Sequence, residues 1–411
     1  MQLMKAVVKE KPFPGKEWHK GFKLVQKEIP EVKKPDEVKI KVIATAICGT
    51  DVGIYNAKDS LKDSMMILDT PDVIVGHEFS GKIVDAGAKA KLQLAQMLID
   101  QVKASSVIKK FVGRRSPIQL ASDPNFFTFL EKYIYCSAEM HVTCGKCVQC
   151  KAGDFHVCKN TIIRGLHGNG SYAEYLTLPV ENIRLFYKTD VPLEVIAFMD
   201  AIGNATHTVQ SVDVKGKSVA ILGCGVQGLM ATAVAKYLGA KKIFVTDASH
   251  GEFTHDKLEN SRFRLARLYG AKHCFDVSID REKEKFYKTV LEETNNAGVD
   301  AVIEMSGNYK AYEDAFKVVR MGGIISLLGI PGGQMVTDFA KHIIFPGVTI
   351  KGIIGRRVWD TWDVMTEILK KGLAKKFVKT GFITHDLPLE KVDEGINAII
   401  KGDALKVILR P

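Results

Sequence analysis

The chain has 411 residues, 46% of them hydrophobic and 26% charged, with no low-complexity tract and no repeat period. That length exceeds what one ordinary core fills, so two domains are expected, and the composition excludes a disordered or fibrous protein. A formal charge of +11 raises nucleic acid as a partner, but seven Lys/Arg against one acid (Asp100) lie between Lys89 and Arg115, so about half the excess is local and reads as a solvated basic face.

Residues 1–11 alternate charged and apolar side chains and do not form a signal peptide. Strands are expected at 38–47, 73–75 and 81–84, and the N-terminal half reads mainly as strands and turns. Within 89–133, Leu94, Leu98, Val102, Ser105, Ile108 and Val112 keep a helical period with basic residues between them. This predicts one amphipathic helix packed on its own domain or on a neighbouring subunit. From 217 the pattern changes: strand-like runs at 218–222, 243–246, 299–304 and 323–328 alternate with helical segments at 227–238 and 309–319, the signature of βαβ units and a parallel sheet. The uncharged stretch 218–235 approaches a membrane span in length, but Gly223, Gly225 and Gly228 interrupt it. It is read as a buried strand running into a buried helix, so no membrane partner and a cytoplasmic location are expected. A strand at 349–354 and helices at 361–371 and 389–401 complete the chain.

The strand at 218–222 ends in Gly223-Cys-Gly225-Val-Gln227-Gly228, and the next strand ends in Asp247, nineteen residues after Gly228. Glycines there allow a tight turn and close approach of a pyrophosphate to a helix N-terminus, while the carboxylate suits ribose hydroxyls and repels a 2′-phosphate. NAD is therefore expected rather than NADP.

Four of the eight cysteines, Cys144, Cys147, Cys150 and Cys158, fall within fifteen residues at spacings of two, two and seven. Four thiolates close a tetrahedral shell, as in a structural zinc; an iron–sulfur cluster is the rival, and no proline follows the last cysteine. A dispersed set, Cys48 with His77 and Glu78, has the mixed ligands of an open catalytic zinc, which would accept a substrate hydroxyl and lower its pKa ahead of hydride loss.

The order Cys48-Gly-Thr-Asp51, Gly76-His77-Glu78, four-cysteine lobe and glycine-rich turn resembles the zinc-containing medium-chain dehydrogenases. The likeness is greatest to their threonine-oxidising branch, through the runs 44–51, 141–147, Tyr172-Ala-Glu-Tyr175, 200–207, 326–330 and 351–362. It implies a β-rich GroES-like catalytic domain over 1–201 and 347–411, and an inserted Rossmann domain with a doubly wound parallel sheet over 202–346. It also implies two zinc ions, one catalytic and one structural, NAD, a small-molecule alcohol substrate and a homo-oligomer, dimer or tetramer. The expected reaction is oxidation of L-threonine to 2-amino-3-oxobutanoate. The polyol and diol dehydrogenases are the alternative within the family, and an inactive dinucleotide-binding zinc scaffold the alternative outside it.

Carried over residue by residue, the resemblance makes Thr50 the relay hydroxyl and Asp200 an acid beside the metal, either it or Glu78 being the third zinc ligand. His141 would stand at the substrate pocket. Gln227 would lie in the phosphate loop, Arg262 with Asp247 at the adenosine end, and Leu328, Gly329, Ile330, Ile353 and Ile354 around the nicotinamide. Three features depart from the family: Gly53 occupies the place of a proton-relaying histidine, 89–133 is far longer than the usual connection, and 249–259 is inserted just after Asp247.

Overall fold

A computed structural model describes residues 2–103 and 105–411. The chain divides into two compact units, one of residues 1–200 and 374–411 and the other of 201–373. Among the described residues no helix is long and apolar enough to cross a membrane.

The first unit is built on a seven-stranded sheet in which Glu37–Ala46 is central, flanked by Phe79–Ala86 and by the C-terminal strand Lys406–Arg410. Tyr175–Pro179 also pairs with Glu37–Ala46. A smaller sheet joins Lys23–Glu28, Leu3–Glu10 and Asp72–Ile74. Alternation along Glu37–Ala46 sends Val38, Ile40 and Val42 into the core.

The segment 89–133 forms four helices, Ala88–Asp100, Ser106–Val112, Pro117–Ala121 and Phe126–Tyr133, instead of one. Leu94, Leu98, Ile108, Val112, Leu120, Phe126 and Leu130 share a hydrophobic cluster with Val38, Ile40 and Phe79, so this helical layer covers one face of its own sheet. The single period fails because Ser105 caps a new helix, its hydroxyl accepting the Val107 amide at 3.1 Å, and Gly113 ends that helix at φ 60°. Ala104, inside the expected helix, lies outside the described residues.

The second unit holds a six-stranded, wholly parallel sheet in the order His273–Asp276, Lys242–Asp247, Ser218–Leu222, Val299–Glu304, Val319–Leu327, Thr349–Gly352. Numbered by sequence this is 3-2-1-4-5-6, the doubly wound dinucleotide-binding order. Residues 347–373, expected with the first domain, belong to this unit because Thr349–Gly352 pairs in parallel with Val319–Leu327. That edge strand is exposed throughout, and Phe339, Ile344 and Phe345 are exposed beside it in sequence.

Leu98 contributes fully buried surface to the helical layer, whereas Ile118 is 68% exposed. Leu98→Ala is expected to cost about 3 kcal/mol and Ile118→Ala less than about 0.5 kcal/mol in urea unfolding; equal losses would show that the layer is not packed as described.

Candidate metal centres and dinucleotide site

Cys48 follows the strand Glu37–Ala46 and is the N-cap of the helix Gly49–Tyr55. Asp51, in the first turn, reaches back to accept the Cys48 amide at 2.9 Å, as capping acids do. The same fully buried carboxylate accepts the Tyr172 hydroxyl at 2.9 Å and stands 3.5 Å from His77 Nδ1. It thus ties down the Cys48 loop and places a carboxylate beside the His77 ring. The motif contains Asp51, yet no spacing rule couples it to His77, and its role was not foreseen.

His77 and Glu78 are fixed by close backbone packing. Gly76 has φ 86°, and a Cβ there would fall 2.1 Å from the Tyr172 ring. Side chains at Gly165 and Gly170 would approach the Gly76 carbonyl to 2.4 and 2.0 Å, so all three positions require glycine. The Glu78 carbonyl accepts from the Ala46 amide at 3.1 Å and the Ser171 hydroxyl at 3.2 Å.

The ligand atoms of Cys48, His77 and Glu78 lie within 4.8 Å of one another. Asp200 is buried and acts electrostatically on both His77 and Glu78 but is not in this closest set, which favours Glu78 as third ligand. Burial opposes a charged His77, yet Asp51, Cys48 and Asp200 outweigh it and hold the imidazole well above its usual range. Burial pushes the Glu78 carboxyl up, Lys406 opposes this, and Asp200 adds to it. A buried pocket that raises the proton affinity of its members in this way fits a divalent cation, and a thiol, imidazole and carboxylate set suits zinc.

Thr50 Oγ1 lies 4.0 Å from Cys48 Sγ, beside the set. At Gly53 a Cβ would meet Leu61 Cδ1 at 2.8 Å, so Leu61 occupies the space a larger residue would need. His141 is half-buried on the short strand His141–Val142, its Nδ1 3.4 Å from the buried Glu139 carboxylate.

The four-cysteine lobe lies between His141–Val142 and its partner strand Ile162–Ile163. All four Sγ atoms fall within 4.8 Å, with Cys147–Cys158 at 3.8 Å and Cys158–Cys144 at 3.6 Å. A tetrahedral zinc with bonds of about 2.3 Å separates its sulfurs by about 3.8 Å, so the cage has the right size. The Lys146 and Cys147 amides hold the Cys144 thiol down at about 6, whereas burial pushes Cys150 up to about 12.

In the second unit, Gly223 has φ 95° and a Cβ at Gly228 would lie 1.8 Å from the Gly223 carbonyl, so the turn demands both glycines. Gly225 caps the helix Val226–Tyr237 and faces open space, the close-approach position for a pyrophosphate. Gln227 Oε1 and Arg262 Nε are buried without hydrogen-bond partners. Despite the insertion, Arg262 Nη1 reaches Asp247 Oδ2 at 2.8 Å, and its guanidinium lies 4.2 Å over the Phe253 ring, which the insertion supplies. Leu328 and Gly329 donate to the Glu304 carbonyl, and Ile353 donates to Leu327 at 2.9 Å; Ile330 and Ile354 are exposed. These five residues follow the C-terminal ends of two strands, where doubly wound sheets bind ligands. The 200–207 and 351–362 runs also meet here: Arg356 Nη1 bonds Asn204 at 3.1 Å, and Gly203 is bare because a Cβ would fall 2.4 Å from the Arg356 chain.

The family described as "Alcohol dehydrogenase GroES-like domain" matches residues 34–103, and "Zinc-binding dehydrogenase" matches 227–371. The L-threonine 3-dehydrogenase of Caldanaerobacter subterraneus subsp. tengcongensis is 36% identical over 410 residues, covering 100% of this chain and 99% of the relative. That of Bacillus licheniformis is 34% identical, covering 99% of each. Among solved structures, the alcohol dehydrogenase TADH from Thermus sp. ATN1 superposes with a TM-score of 0.73 at 24% identity, covering 99% of each chain, a likeness of fold.

In metal-free protein at pH 7, Cys144 is expected to be alkylated by iodoacetamide well before Cys150, and its reaction should fall off as pH drops through about 6, where the thiolate protonates. Peptide mass mapping checks this; equal labelling of both cysteines would contradict the cage as described.

Proposed function

The chain belongs to the zinc-binding dehydrogenases with an alcohol dehydrogenase GroES-like domain, and from that membership we propose that it oxidises the secondary hydroxyl of L-threonine to give 2-amino-3-oxobutanoate, using NAD, a catalytic zinc and a second, structural zinc. The observation that carries this reading is the buried convergence of Cys48, His77 and Glu78 in a chain whose full-length relatives are L-threonine 3-dehydrogenases.

Bound there, zinc supplies Lewis acidity toward the alcohol and the dinucleotide supplies the hydride acceptor. The protein's own residues do the rest. Cys48, His77 and Glu78 hold the ion, and Asp51 places a carboxylate beside the His77 ring. Thr50 relays the substrate's hydroxyl proton, passing on its own as it accepts that of the substrate, and Asp200, buried beside Glu78, assists its departure. With Gly53 backed by Leu61, no imidazole shares this work at that position. In the second unit, the Gly223–Gly228 turn receives the pyrophosphate and Asp247 the adenosine ribose. The exposed edge Thr349–Gly352, with Phe339, Ile344 and Phe345 near it in sequence, supports assembly as a homo-oligomer.

Initial rates of NAD reduction should be highest with L-threonine in a panel with L-serine, sorbitol, threitol and 2,3-butanediol. Asp200→Asn should lower kcat about a hundredfold at every pH. A preference for sorbitol or a diol would move the enzyme to the polyol branch, and inactivity toward the whole panel would favour the scaffold.

Asp247→Ser should shift the NAD/NADP ratio of kcat/KM toward NADP by at least about tenfold, because it removes the repelling carboxylate and frees Arg262 for a 2′-phosphate. A wild-type preference for NADP would contradict this assignment.

A further inference from the structure

One lysine–carboxylate pair in the first unit is almost wholly buried. Lys406 Nζ lies 2.5 Å from Glu78 Oε2, with the two side chains only 2% and 0% exposed. Lys406 comes from the C-terminal strand, and its ammonium also donates to the Ile47 carbonyl at 3.0 Å, one residue before Cys48. Phe198 covers it, the ring centre 5.5 Å away, and Phe377 and Phe382 pack against Phe198. One side chain therefore ties together the two loops that carry the metal-ligand set, and does so from an apolar recess.

Burying an ammonium here is costly, and stability alone is a weak reason for it, since buried ion pairs often gain little over an apolar pair of the same shape. The position of the pair indicates another use. Glu78 has two oxygens, and one of them is held by Lys406. A carboxylate shared between a fixed ammonium and a metal carries less charge toward the metal than a free one, so it binds more weakly and exchanges more readily.

We propose that Lys406 is a positioning residue that holds Glu78 as a weakened, exchangeable ligand, setting the affinity of the Cys48–His77–Glu78 site for its metal. The proposal rests on reading those three residues as the catalytic metal ligands. It places the last strand of the chain directly in control of the metal site. Removing the positive charge leaves the pocket one unit more negative, so metal binding should become tighter, whereas loss of a merely structural residue would weaken it.

The test is a Co2+ titration of chelator-stripped, full-length protein, followed by visible absorption, which separates a one-thiolate site from the four-thiolate cage. Lys406→Met should bind Co2+ at the one-thiolate site at least tenfold more tightly than wild type. Lys406→Arg, which keeps the charge, should remain within about threefold of wild type. The gain should vanish when Glu78→Gln is combined with Lys406→Met. Lys406→Gln, which retains a donor for the Ile47 carbonyl, carries the same prediction should the methionine variant not fold. Unchanged or weaker Co2+ binding in a folded, charge-removed variant, or a gain that persists without Glu78, overturns the proposal while leaving the metal site standing. A wild type that takes up cobalt only in the four-thiolate cage overturns both the proposal and the site on which it rests.

Discussion

The first unit is organised around a concentration of negative groups that cannot be buried together without a cation. Asp51 and Glu78 are almost fully enclosed, Asp200 is buried, and Cys48 adds a thiol to the same pocket. Close carboxylates in a low-dielectric interior repel strongly and lose their hydration, and only positive charge restores the balance. Lys406 supplies part of it. A divalent ion held, as proposed, by Cys48, His77 and Glu78 would supply the remainder, and the same ion would serve an alcohol oxidation.

The surrounding fold is arranged to keep these groups from moving apart. Glycines at 76, 165 and 170 bring two backbone segments into contact behind His77, where a single methyl would collide. Tyr172, on the second of these segments, packs against Gly76 and hydrogen-bonds Asp51, so the carboxylate beside His77 is itself fixed. The four-cysteine lobe is closed by a two-strand ladder that runs directly into this segment. The helical layer over 88–133 seals the sheet from which the Cys48 loop emerges. Packing and chemistry in the first unit are thus parts of one construction.

What was legible in the amino-acid order was whatever chemistry is local. The glycine-rich turn and the four cysteines lie on short stretches whose spacing alone determines geometry, and Gly223 and the sulfur cage take the arrangement that spacing implies. Asp51 facing His77 and Lys406 reaching Glu78 are contacts across long sequence separations, which no periodicity encodes. The 89–133 segment misled for a different reason: its apolar spacing continues through Ser105, where a cap starts a new helix. The strand at Thr349–Gly352 was recognised as a strand but assigned to the wrong domain, since a strand's own residues do not specify which sheet it joins.

The buried anionic pocket and the cysteine cage are each proposed to hold one zinc ion. Anomalous diffraction from crystals of the purified protein, collected on both sides of the zinc absorption edge, tests it most directly. Two peaks per chain are expected, one enclosed by Cys144, Cys147, Cys150 and Cys158 and the other bounded by Cys48, His77 and Glu78. A peak in the cage alone, with the Cys48 pocket empty in zinc-replete protein, would contradict it.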